Sequence, residues 1–119
     1  MRTKKERQLK RHRAFLKKIS GTAERPRLVI SRSIKHISAQ AIDDTVQKSL
    51  FSLSTTNKEI KQKIANAGNV KGAQEFGRLL AQRLKEKGIT ALVFDRSGRL
   101  YHGRIKAIAE SLREEGIIL

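Results

Sequence analysis

Three carboxylates invite a catalytic reading. Asp43, Asp44 and Asp95 fall at the ends of predicted strands, where a metal-dependent nuclease would hold its ions. Turn chemistry already accounts for the adjacent Asp43 and Asp44, and Asp95 closes a strand just before Arg96-Ser97-Gly98. No fourth carboxylate has a place beside them. His12, His36 and His102 lie far apart, each with basic neighbours, which suits phosphate or base contacts better than metal ligation or general-base work. The chain has no cysteine, so disulfide scaffolds, thiolate zinc sites and cysteine nucleophiles are excluded. No P-loop pattern or dinucleotide glycine fingerprint is present. The sequence therefore predicts no enzyme, no cofactor and no metal.

Cations carry more information. Lys and Arg number 27 against 11 acids in 119 residues, a formal charge of +16. A small soluble domain needs a net charge of only about 2 to 8. An excess this large repels itself in a compact state, and a polyanionic partner explains it. The charge is also uneven. Residues 1–36 hold 13 Lys and Arg against Glu6 and Glu24, while residues 37–119 hold 14 against nine acids. A basic arm over residues 1–20, including Lys4, Lys5, Arg7, Arg11, Arg13, Lys17 and Lys18, thus precedes a single domain over 21–119.

Two further basic clusters sit in the body. Arg25, Arg27, Arg32, Ser33, Lys35 and His36 surround the first predicted strand and the turn after it. Arg96, Arg99, Tyr101, His102, Arg104 and Lys106 lie between the last strand and the last helix. Aromatic residues are only 4% of the chain, so stacking of bases on a platform of rings does not lead the interaction. Phe51, Phe76 and Phe94 fall inside predicted elements and read as core. Tyr101, in a basic loop, is the one aromatic placed to touch RNA, with partial packing under the last helix as the alternative.

Leu, Ile, Val and Phe make up 32 residues, more than the ~20% below which a charged chain stays disordered. No run of about 18 apolar residues and no signal-peptide block is present, which predicts a soluble, intracellular chain with no membrane partner. Leu9, His12, Leu16 and Ile19 share a face of the arm, so the arm reads as a helix that frays alone and orders against phosphates. Strands are predicted at 27–33, 36–43 and 48–55, joined by short turns into an antiparallel meander. In the second strand Ile37, Ala39 and Ala41 share one face, and Ser38, Gln40 and Ile42 the other.

The period then changes to that of helices. Thr56 and Glu59 have capping-box form and open a short helix through about Ala65. Asn69 caps a longer one with Val70, Ala73, Gly77, Leu80, Ala81 and Leu84 on a stripe, ended by Gly88. Gly72 and Gly77 are expected to let this helix pack closely on the sheet. ALVFD (91–95) is the apolar run of a buried parallel strand. Ile105, Ile108, Ala109 and Leu112 mark a last helix ending at Gly116. Its first turn carries cations and no acid, the reverse of what a helix N-terminus favours, so His102, Arg104 and Lys106 read as a phosphate site. The expected fold is α/β: a mixed sheet, three strands of meander plus a parallel strand, packed with helices behind a basic arm.

Three stretches resemble a known family. KKISGTAERPRLVISRSIKHISAQAIDD (17–44), GNVKGAQEFGRLLAQRLKEKGI (68–89) and VFDRSGRLYHGRIKAIAESLREEGI (93–117) resemble bacterial large-subunit ribosomal protein eighteen. The resemblance spans nearly the whole chain and is sharpest at GTAERPRL, the SRS-x-KHI-x-AQ stretch and FDR-x-G-x-x-YHGR-x-KA. It implies a chain in the cytoplasm that binds 5S rRNA, helps dock it in the central protuberance, touches the large-subunit rRNA and lies near large-subunit protein five. It also implies that RNA contacts come from the arm, from the region of Arg25 to His36 and from that of Arg96 to Lys106. Residues 45–63 match least and receive no function. The competing reading, a non-specific nucleic-acid-compacting protein, would favour a repeated basic pattern or a dimer seam, and neither is visible. A membrane-surface arm is less suited still, having few large apolar residues.

Overall fold

The computed structural model describes residues 3–18, 20–96 and 102–119, leaving aside the side chains of 15–18. The arm forms helix α1 (Lys4–Lys18). Its start is a capping box that the sequence expectations did not include: Glu6 N–H donates to Thr3 Oγ1 at 3.1 Å, and Thr3 N–H reaches back to Glu6 Oε2 at 3.4 Å.

Strands β1 (Arg27–Arg32), β2 (Ile37–Asp43) and β3 (Lys48–Ser54) form the meander. Strand β4 (Val93–Asp95) joins β1 in parallel, giving the order β3-β2-β1-β4. The expected mixed sheet is the observed one. Period-two burial sets its faces: Leu28, Ile30, Ile37, Ala39 and Ala41 are buried on one side. In the register β1–β2, Val29 opposes Gln40 and Ser31 opposes Ser38 on the other side. The β2–β3 register shifts between Ala41 and Ile42, leaving Leu50 of β3 as an extra, bulged residue.

Helices α2 (Lys58–Lys63), α3 (Val70–Glu86) and α4 (Gly103–Glu114) complete the chain. The core joins the inner sheet face to Phe76, Leu80 and Leu84 of α3 and Ile105, Ile108 and Leu112 of α4. Phe51 and Phe94 pack at its margin.

Four expectations are corrected. The cap of α2 is Asn57, whose side chain accepts the Glu59 N–H at 3.1 Å, because Thr56 is engaged with Ser54 Oγ. Glu59 instead pairs with Arg83 and ties α2 to α3. Val70 leaves the buried stripe of α3: as its first residue it is 46% exposed. The two helix glycines do not face the sheet. A Cβ at Gly77 would lie 2.7 Å from Ser111 Cβ of α4, and one at Gly72 would overlap the Asn66 carbonyl. They permit close approach to a helix and to a loop.

Candidate nucleic-acid interface

Helix spacing aims the arm. Lys4, Arg7 and Arg11 recur every three or four residues and share one face of α1. That face lines a cleft of about 790 Å³ whose other wall is Arg32 at the end of β1, the start of α3 (Asn69, Val70), and His102, Gly103 and Arg104 at the start of α4. Neither α3 nor α4 has an acid in its first turn, so two positive helix ends converge on a cleft already lined by cations. Such a site draws anionic oxygens by charge and by backbone N–H groups together.

Each wall has its own anchor. Asn69 Oδ1 accepts the Gly72 N–H at 2.7 Å and sets the first turn of α3. Arg104 Nη1 donates to the Ala67 carbonyl at 3.0 Å, holding the start of α4 to the loop before α3. The charge reversal at α4 therefore has a structural side: Arg104 is a strut as well as a cleft residue. His102 caps α4 by position without a side-chain cap bond.

Six of the sequence-derived contact residues thus meet in one place: Lys4, Arg7, Arg11, Arg32, His102 and Arg104. Lys5 and Arg13 are exposed on α1 away from the cleft lining. Lys17 and Lys18 belong to α1, but their side chains lie outside the described residues, as do Arg99 and Tyr101 entirely. Lys35 and Arg96 are exposed. Ser33 and His36 close the β1–β2 turn on each other, Ser33 N–H to the His36 carbonyl at 2.9 Å and His36 N–H to Ser33 Oγ at 3.2 Å. The His36 ring sits 3.2 Å from Thr55 Oγ1. Arg25 donates from Nε to the Leu92 carbonyl at 3.1 Å, and Lys106 lies 3.9 Å from Glu110.

Arg27 departs most from expectation. Its side chain is 13% exposed and points at acids, with Nε and Nη2 on Asp44 at 2.9 and 3.1 Å and Nη1 on Asp95 at 2.6 Å. The paired guanidinium holds the Asp44 carboxyl below the usual carboxylate range and raises Arg27 in turn. Arg27 is thus engaged within the fold. His12 follows the same logic: Nε2 lies 2.9 Å from Asp95 Oδ2, so this histidine meets a carboxylate where a phosphate or base was expected. Asp43 accepts from Thr45 N–H at 3.0 Å, the turn chemistry anticipated. Among the described residues no group of three His, Cys, Asp or Glu could hold a metal ion, and no helix is long and apolar enough to cross a membrane.

The outer sheet face has a different character. A shallow groove of about 480 Å³ there is lined by Val29, Ser31, Ser38, Gln40, Ser52 and Ser54 among others, hydroxyls and an amide without charge. These groups can donate and accept toward sugar hydroxyls and phosphate oxygens alike.

Fold and cleft define a basic α/β domain shaped to meet a polyanion. The sequence pattern of the family described as ribosomal L18 of archaea, bacteria, mitochondria and chloroplasts matches residues 2–119. The chain is 51% identical over 115 residues to the large ribosomal subunit protein uL18 of Thermotoga petrophila, covering 97% of this chain and 94% of that protein. It is likewise 51% identical to the uL18 of Trichodesmium erythraeum, over 97% and 96% of the two chains. With the uL18 of Petrotoga mobilis it shares 50% identity over 96% and 93%. The chain belongs to the L18 family of large-subunit ribosomal proteins, a structural and non-enzymatic family.

Proposed function

We propose that this structural constituent of the large ribosomal subunit binds 5S rRNA and helps attach it in the central protuberance. In this reading it works in the cytoplasm, touches the large-subunit rRNA and lies beside large-subunit protein five. The observation that carries the reading is the convergence of Lys4, Arg7, Arg11, Arg32, His102 and Arg104 on one cleft at the N-termini of α3 and α4.

The mechanism is electrostatic and architectural. Cations of the cleft neutralise phosphates and release counterions, while the rigid sheet and helices fix the shape the RNA must match. An RNA helix hides its base edges in a deep major groove and offers 2′-hydroxyls and backbone instead. The serine-rich outer face of the sheet has the chemistry for those groups, and the cleft has it for phosphates.

The test is a competition at physiological salt between 5S rRNA, an unrelated RNA of equal length and a DNA duplex. Preference for 5S rRNA by about a thousandfold, the lower side of the range for specific nucleic-acid recognition, is expected. Equal affinity for all three would replace this reading with non-specific compaction.

A further inference from the structure

Helix α1 is tied to the body at its root and at its middle, and both ties end on one frame. The frame is Asp44–Arg27–Asp95, an acid, a guanidinium and an acid joined by three hydrogen bonds. At the root, Asp44 Oδ2 accepts the Gly21 N–H at 2.7 Å and the Gly21 carbonyl accepts the Asp44 N–H at 3.0 Å, just where the chain leaving α1 enters the body. At the middle, His12 Nε2 donates to Asp95 Oδ2 at 2.9 Å. Asp95 is 1% exposed and the His12 side chain 27%, so the bond is part-buried, with its acceptor shielded from water.

Leu9, on the described part of α1, is 44% exposed. His12 follows Arg11 by one residue, about 100° round the helix axis. The face carrying Lys4, Arg7 and Arg11 and the face carrying His12 are therefore fixed relative to each other. Holding one determines where the other points. A rotation of that size would turn the three cations out of the cleft.

We propose that His12 is the positioning residue of the basic helix: its hydrogen bond to Asp95 sets the rotation of α1 and so presents Lys4, Arg7 and Arg11 to the phosphates of the RNA. This rests on the 5S rRNA reading of the cleft. His12 acts through Asp95 and touches no phosphate itself.

The test uses the full chain, which lacks native cysteine, with spin labels at the exposed positions Ala14→Cys and Glu86→Cys. Distances between the labels are measured in the complex with 5S rRNA, beside binding titrations, for the parent chain and for His12→Ala, His12→Gln and His12→Lys. The parent should give one narrow distance. His12→Ala should broaden it and weaken binding about tenfold, the scale of a lost hydrogen bond to a charged group. His12→Gln, which keeps an N–H donor and no charge, should restore both.

Restoration by Lys but not by Gln would make His12 a phosphate contact and overturn the proposal. Weakened binding without broadening, or no change in any variant, would overturn it as well. If the parent itself does not bind 5S rRNA, the reading of the cleft falls first and the proposal falls with it.

Discussion

Arg27 Nη1 lies 2.6 Å from Asp95 Oδ2 and joins the first residue of β1 to the last of β4 across the parallel pair. The same guanidinium holds Asp44 just beyond β2, so one side chain locks three strands of the sheet together. Removing Arg27 takes the guanidinium partner from the buried Asp95 and from the partly buried Asp44. Arg27→Ala should therefore destabilise the free protein by about 3 to 5 kcal/mol. Urea unfolding of parent and variant measures this directly, and a loss below about 1 kcal/mol would place Arg27 among the ordinary surface cations.

The same pairing gives stability a dependence on acid. Asp44 has a folded-state pKa below its unfolded value, chiefly through its hydrogen bonds from Arg27. Its contribution is complete above the ordinary Asp value of about 3.9 and is lost as pH falls through the depressed folded value. Unfolding free energy should thus fall on acidification below about pH 4, and Asp44→Asn should flatten that part of the curve. Equal slopes in both proteins would show that Asp44 is not held by Arg27 in solution.

The close pass of α3 over α4 predicts a coupled pair of substitutions. Gly77→Ala improves helix propensity by about 1 kcal/mol, yet its Cβ would come 2.7 Å from Ser111 Cβ and 3.1 Å from the Ile108 carbonyl. Overpacking between two buried helices costs roughly 1 to 3 kcal/mol, so the variant should have a lower Tm than the parent. Ser111→Gly in the Gly77→Ala background should recover part of the loss. Additive losses in the double variant would mean the helices separate freely.

Much of the fold is legible in the residues. The alternation in Ile37–Asp43 marks both faces of β2, and the short apolar run before Asp95 marks the parallel strand, although β4 lies at the sheet edge with Val93 and Phe94 half-buried where a buried strand was expected. The three clusters of cations are legible too, and six of their residues meet in the cleft. The ion pairs of Arg27 are not legible there, because nothing local reveals acids 17 and 68 residues away. The same holds for His12, whose partner is 83 residues distant. Helix glycines announce close packing but not its partner, and α4 takes the place assigned to the sheet. Thr3 and Glu6 are different: their spacing carries the capping signal in plain view.

The salt dependence of 5S rRNA binding, measured in the parent chain and in the triple variant Lys4→Gln, Arg7→Gln, Arg32→Gln, tests the role of the cleft most directly. These three cations come from two elements, α1 and β1, and all line the cleft. With roughly 6 phosphates neutralised, log affinity in the parent should fall against log salt with a slope of about −4 to −5. The triple variant should bind more weakly with a slope shallower by about 2 to 3, near one unit for each phosphate that no longer meets a cation. An unchanged slope in the variant would contradict this role, since phosphates would then be met somewhere other than the cleft between α1 and the helix starts.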